Sequence, residues 1–277
     1  MRFPRDFVEA LHVYKVREFG RVFGGCPPKV FDSVLELGAG DGFQSALLTE
    51  LSQKLISTDV SLDRVQNRDL PDVDFRACDA REIGQAFPRR TFDLVYSSNM
   101  LEHVVEPERV VKAIHEVLRD DGITIHVMPS PFWKFTSFVL YIPNGAVRMA
   151  ELLTQRNALS AIRDRVTSPT PDGSVYVQRS RLTRFFLPEI HGISRSHYRE
   201  FREFSVRKWT KLFEANGFEI RKILKGPVIT GYAFGADRAR RLLEKAGFAS
   251  VYIYVLTKKG EGSRSLQYFR AASKGVE

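Results

Sequence analysis

The sequence predicts a doubly wound α/β fold on a mostly parallel sheet, and three observations predict it. From Ser33 to Met128 short β-branched runs alternate with helical patterns, the rhythm of parallel strands joined by helical crossovers. The first run, Val34-Leu35-Glu36-Leu37, passes directly into the glycine-rich turn Gly38-Ala39-Gly40-Asp41-Gly42. Carboxylates, Asp59 and Asp79, then stand at the ends of the next two runs, the edge at which open α/β sheets bind ligands.

Each element has its own warrant. Met1 to Gly25 sets Arg2, Arg5, Asp6 and Glu9 among apolar residues, so residues 1–30 read as an amphipathic helical segment and not as a signal peptide. Strands are expected at Ser33–Leu37, Lys54–Thr58, Val73–Cys78, Phe92–Ser97 and Gly122–Met128, which makes residues 31–129 the core. Pro107 opens a helix whose apolar face carries Val110, Val111, Ile114, Val117 and Leu118, and Asp120-Asp121-Gly122 ends it. After Pro129 the rhythm breaks. Residues 130–191 hold aromatic clusters, scattered arginines and the turn-like Pro169-Thr170-Pro171-Asp172-Gly173, which suggests a lid inserted over the carboxyl edge of the sheet. Regular patterns return over residues 192–258, with helices at Val206–Asn216 and Ala236–Ala246 and strands at Phe218–Leu224 and Val251–Thr257. Residues 259–277 read as a polar, frayed tail.

Composition narrows the classes without choosing among them. The chain has 277 residues, 43% hydrophobic and 27% charged, the balance of a folded globular protein. Lys and Arg number 42 against 33 Asp and Glu, which suits an anionic partner or simply a basic solvated surface. Cys26 and Cys78 form neither a CxxC pair nor a disulfide framework, so reduced thiols in a cytoplasm are expected, and no metal site. The most apolar later run, Phe135 to Pro143, is far shorter than the roughly 20 residues a bilayer span requires.

The glycine turn carries the first chemistry. Gly38 and Gly40 let the backbone turn tightly and meet a ligand with no side chain in between. A dinucleotide site would place a third glycine at the sixth position of G-x-G-x-x-G, but Phe43 stands there, and Gly42 comes one residue early. Asp41 in the turn disfavours a pyrophosphate and favours a ligand bearing an ammonium and a sulfonium. The spacing thus points to S-adenosylmethionine over NAD. Asp59, followed by Val60, is placed to accept both ribose hydroxyls; its alternative is a helix cap, a place that Ser61 already fills. Asp79 can accept from an adenine amino group while the N–H of Ala80 donates to the ring.

The ordered set Glu36-Leu37-Gly38-Ala39-Gly40-Asp41-Gly42, Asp59, Asp79-Ala80 and Phe92 to Val104 resembles the successive motifs of class I S-adenosylmethionine-dependent methyltransferases. The similarity covers roughly residues 31–129, and the later stretch from Ile190 through Trp209 to Gly217-Phe218 resembles the lid-to-sheet return of the small-molecule and sugar-modifying, type 11-like members. The resemblance implies a Rossmann-like seven-stranded sheet with a reversed last strand. It also implies that Gly38, Gly40 and Asp41 line the methionine end of the cofactor, that Asp59 holds the ribose, and that Asp79 and Ala80 hold the adenine. Ser98 and Asn99 would form the far wall, and Glu36 would orient the glycine turn or reach the ammonium.

The acceptor is less legible. Methyl transfer is an in-line displacement in which the protein aligns the acceptor and, for a hydroxyl, removes a proton. Three histidines are candidate bases: His103, which follows the fourth strand at the carboxyl edge, and His191 and His197 at the exit from the insertion. Each has a structural alternative, and His12, His115 and His126 read as surface or packing residues. The insertion carries Phe132, Trp133, Phe135, Phe138 and Tyr141 and then Arg163, Arg165, Arg179, Arg181 and Arg184, which could hold a lipid-linked or phosphorylated acceptor at a membrane surface. The alternative is a hydrophobic lid with solvated arginines. A small molecule, a sugar or a lipid-linked acceptor is therefore expected. Nucleic acid is disfavoured because the basic residues are diffuse and no base-modifying motif follows the fourth strand. Nothing in the chain specifies an oligomer. Two other classes stay open: an NAD-dependent oxidoreductase and a non-catalytic S-adenosylmethionine-binding module.

Overall fold

The computed structural model describes residues 7–66, 68–141, 196–229 and 237–269. A helix, α1 (Phe7–Phe23), leads into β1 (Phe31–Leu37), α2 (Phe43–Leu48), β2 (Ser52–Asp59), β3 (Val73–Ala77), α3 (Ile83–Ala86) and β4 (Phe92–Ser98). Then come α4 (Pro107–Val117), β5 (Leu118–Pro129) and a helix, α5, at residues 131–141. After the interval come α6 (His197–Glu203), α7 (Val206–Ala215), β6 (Phe218–Lys225), α8 (Asp237–Lys245) and β7 (Val251–Lys258).

The seven strands form one sheet in the order β3-β2-β1-β4-β5-β7-β6. β1 pairs in parallel with β2 and β4, and β7 runs antiparallel to both β5 and β6, which gives the expected reversed last strand. The central strands are buried on both faces, so they read as continuous apolar runs: Val34, Leu35, Leu37, Leu94, Val95 and Tyr96 are all fully buried. One face is covered by α3, α4 and α7 through Ile83, Val110, Ile114, Trp209 and Phe213, the other by α1 and α2 through Val22, Phe23 and Leu48.

Because β1 and β4 neighbour each other while their crossovers go to opposite sides, the turns after Leu37 and Ser98 open a crevice at the carboxyl edge of the sheet. α1 is fixed beside that edge from outside. Arg17 and Arg21 both pair with Glu244 of α8, and Arg240 lies 4.8 Å over the Tyr14 ring.

Two local expectations are revised. The helix expected to run to Asp120 stops at Val117. β5 begins at Leu118 and carries residues 119–122 as an irregularity opposite Asp93, between the pairs Phe92–Leu118 and Leu94–Ile123. Asp120 is then held by Lys258 at 2.9 Å and Arg90 at 3.1 Å. The tail is also not frayed from residue 259: a 3-10 turn at Arg264–Phe269 buries Phe269 against Phe23. No helix among the described residues is long and apolar enough to cross a membrane.

Candidate functional site

Gly38, Gly40 and Gly42 all have positive φ, at 82°, 59° and 84°, a backbone that side-chain-bearing residues adopt only at a cost. The turn is pinned to β2, since the N–H groups of Gly38 and Ala39 both donate to the Thr58 carbonyl, at 2.7 and 3.0 Å. Below it lies Glu36, which is 2% exposed and accepts from the hydroxyls of Ser45 on α2 and Ser57 on β2. Burial pushes its carboxyl up to about 7, against the pull of those two hydrogen bonds. The Glu36 carboxyl thereby ties α2 to β2 beneath the turn.

Asp59, at the tip of β2, accepts the Gly40 N–H at 2.9 Å through Oδ2, and its other oxygen lies 3.5 Å from the Ser61 N–H. The carboxylate thus faces the turn first, and the capping alternative is the longer contact. Val60 beside it is 73% exposed. A Cβ added at Gly40 would meet nothing within 4 Å, whereas one at Gly38 would stand 2.9 Å from the Met100 Cγ. The space above Gly40 is therefore open, and the Asp59 carboxylate that holds the Gly40 N–H stands at its edge.

The remaining cofactor candidates lie along the same edge. Asp79 caps the turn Ala80–Glu82 and takes the Arg81 guanidinium at 2.6 Å, which holds its carboxyl below the ordinary range. Both of its oxygens accept from Arg81, so an adenine amino group would have to share the carboxylate with that guanidinium. Ser98 and Asn99 end β4; Asn99 has φ 52° and donates its N–H to the Val127 carbonyl at 2.9 Å. Asp41 accepts from the Phe43 N–H at 3.0 Å and bonds His12 Nε2 at 2.8 Å, while the His12 ring stacks on Phe43 at 3.8 Å.

The stack on Phe43 agrees with the packing role expected of His12, and the bond to Asp41 adds a contact with the glycine turn that the sequence reading did not include. Lys15, one turn further along α1, was missed altogether. Its ammonium donates to Ser98 Oγ at 2.6 Å, Glu18 at 2.9 Å and Asn99 Oδ1 at 3.1 Å. A signal existed: His12, Lys15, Glu18 and Val22 recur at helical spacing on one stripe, and polar residues on an inward stripe call for a partner.

Among the histidines, His126 and His115 are packing residues, as expected. His126 is fully buried between Ser97 and Thr124, its pKa driven down to about 3 by burial, and His115 packs edge-on against Phe218. His103 sits in the turn Leu101–His103 with Nε2 4.0 Å from Glu102, a buried carboxyl raised to about 8 by burial. His197 opens α6, edge-on to Phe138 of α5 at 4.7 Å, with Nδ1 3.7 Å from Glu200. Lys134 and Glu200, 1% and 0% exposed, pair at 2.6 Å and lock α5 to α6 at the end of β5. His191 and the insertion's arginines lie outside the described residues, as does most of the expected lid. Its first turns are α5, where Trp133 packs on Phe204 and Phe138 on Phe201. A separate groove of about 930 Å³ opens at the opposite, amino edge, lined by Asp32, Lys54, Asp74 and Arg119, and holds none of the residues above.

Comparison with known proteins follows this geometry. A family described as a methyltransferase domain matches residues 35–126. Over 125 residues the chain is 34% identical to the rat (Rattus norvegicus) protein named Arginine-hydroxylase NDUFAF5, mitochondrial, covering 44% of this chain and 34% of that one. The chain spans about a third of the length of the curated relatives it matches. Among solved structures, an S-adenosylmethionine-dependent methyltransferase from Mesorhizobium loti superposes with a TM-score of 0.51 at 16% identity, over 87% of this chain and 97% of that one. A SAM-dependent methyltransferase from Archaeoglobus fulgidus superposes with a TM-score of 0.50 at 15% identity, over 90% and 94%. At such identities the superpositions show a shared fold.

Proposed function

We propose that this chain, whose residues 35–126 match a methyltransferase-domain family, is an S-adenosylmethionine-dependent enzyme that transfers a methyl group to an oxygen or nitrogen of a small-molecule, sugar or lipid-linked acceptor. The observation that carries the reading is the open cradle over Gly40, edged by the Asp59 carboxylate and the acidic turn. When bound, the cofactor supplies a methyl group made electrophilic by the adjoining sulfonium.

The chain's own work is binding, alignment and proton removal. The glycine turn fixes the methionyl end, Asp59 takes the ribose hydroxyls, and Asp79 with the Ala80 N–H takes the adenine edge. The residues after β4 and β5, which include His103 and α5, line the acceptor side. His197, oriented by Phe138 and near Glu200, is the described histidine best placed to take a proton from a hydroxyl acceptor, with His191 and His103 as the other candidates. Aromatic residues of α5 such as Phe135, 55% exposed, suit an acceptor with an apolar tail or one presented at a membrane surface. Separate free thiols at Cys26 and Cys78 suit a reducing compartment such as the cytoplasm.

Incubation of the full chain with methyl-labelled S-adenosylmethionine and fractionated metabolites, glycans and lipids tests this. Label entering one fraction, dependent on intact Gly40, is the expected result. The curated relatives are named for arginine hydroxylation, so a second assay follows arginine-containing substrates by mass. Gain of an oxygen in place of a methyl group there would overturn the transfer reading, as would cofactor binding without turnover in any fraction.

A further inference from the structure

Lys15 is the feature of the site that neither the motifs nor the family match accounts for. Its ammonium reaches the carboxyl end of β4, with only 14% of the side chain exposed, and spends its donors on Ser98, Asn99 and the 2%-exposed side chain of Glu18. Two contacts tie this position to the glycine turn. His12, one helical turn earlier, bonds Asp41, and Met100, next to Asn99, packs against Gly38.

The charge pattern around the turn is one-sided. Asp41 and Asp59 edge it, which suits an ammonium and a sulfonium but repels a carboxylate. A methionyl group carries both kinds of charge. Among the described residues, Lys15 is the Lys or Arg whose hydrogen bonds reach the β4 end beside the turn.

We propose that Lys15 binds the carboxylate of the cofactor's methionyl group, so that α1 is the wall closing the cofactor cleft. The proposal rests on the methyltransferase reading above. An entering carboxylate replaces the neutral oxygens of Ser98 and Asn99 as acceptor, a charge-assisted exchange, while Glu18 stays behind as the anchor that holds the ammonium in place. α1 is fixed for the task at its other end by Arg17 and Arg21 on Glu244.

Calorimetric titration of the full chain with S-adenosylhomocysteine and with its decarboxylated analogue tests this. The wild type should prefer the carboxylate form by about tenfold or more, the usual scale for a charged hydrogen bond. Lys15→Met should bind both within about twofold of each other, at the affinity the wild type shows for the decarboxylated analogue. Since Lys15→Met strands the buried Glu18, the paired variant Lys15→Met/Glu18→Gln removes both charges and is read alongside it, with thermal unfolding as the control. Lys15→Arg should keep most of the preference. A wild type that binds neither compound refutes the methyltransferase reading itself. A wild type that binds both equally, or a paired variant that keeps the preference, overturns the assignment of Lys15 alone.

Discussion

Replacing Gly40 by Ala, and Gly38 by Ala beside it, separates ligand recognition from folding within one turn. Both glycines have positive φ, so each alanine incurs the left-handed penalty of about 1–2 kcal/mol. At Gly40 there is no further cost in the protein, because the new Cβ meets nothing within 4 Å. The melting temperature should therefore fall by only about 2–6 °C. The same methyl group stands in the ligand's space, so affinity for S-adenosylhomocysteine, measured by calorimetry, should fall at least about tenfold. Gly38→Ala behaves in the opposite way: its Cβ would lie 2.9 Å from the Met100 Cγ, and overpacking adds about 1–3 kcal/mol to the backbone penalty. It should lose more stability than Gly40→Ala. If Gly40→Ala binds the ligand as the wild type does while its unfolding is nearly unchanged, the open space over the turn is not the cofactor cradle.

Three further perturbations probe the surroundings. Asp59→Ala should weaken S-adenosylhomocysteine binding by at least about tenfold, and the wild type should discriminate against a 2′-deoxy analogue; a wild type indifferent to that analogue leaves Asp59 as a brace for the Gly40 N–H alone. Glu36 is raised by burial to about 7 from 4.5, so its contribution to stability is complete below pH 4.5 and fades as pH rises through 7, by about 3 kcal/mol at most. Glu36→Gln should flatten that limb in denaturant titrations, and an identical slope in the two proteins would show that the carboxyl ionises freely in the fold. Lys134→Met leaves the fully buried Glu200 without its 2.6 Å ammonium and should cost about 3–5 kcal/mol, with Lys134→Met/Glu200→Gln recovering much of the loss; equal melting of wild type and single variant would contradict the pair's role in joining α5 to α6.

What the sequence made legible was what periodicity and turn chemistry encode. The doubly buried strands around Leu35 and Val95 read as continuous apolar runs, and the three-glycine turn and Asp59 stand where the pattern put them. The start of β5 did not read through. Asp120-Asp121-Gly122 has the composition of a turn, and the distant partners Lys258 and Arg90 hold Asp120 within the strand while Asp121 stays exposed. Leu266 and Phe269 were hidden by the polar residues around them, although their spacing of three is enough to set a 3-10 turn against Phe23. The largest omission was the inner face of α1. The stripe His12, Lys15, Glu18 and Val22 signals that the polar positions on α1 need partners, but not which ones, because the contacts are with residues 29 and 83 positions away. The acceptor residues are illegible for a related reason: a cofactor of fixed shape constrains a turn, whereas the acceptor side we propose draws on α5, α6 and side chains that any suitable packing can supply.

The assignment of the turn from Gly38 to Gly42 to S-adenosylmethionine is checked by parallel calorimetric titrations of the full chain with S-adenosylhomocysteine and with NAD. Saturable binding of S-adenosylhomocysteine at one site per chain, with no heat from NAD, is the predicted result. Saturable binding of NAD, or of neither ligand, would contradict it.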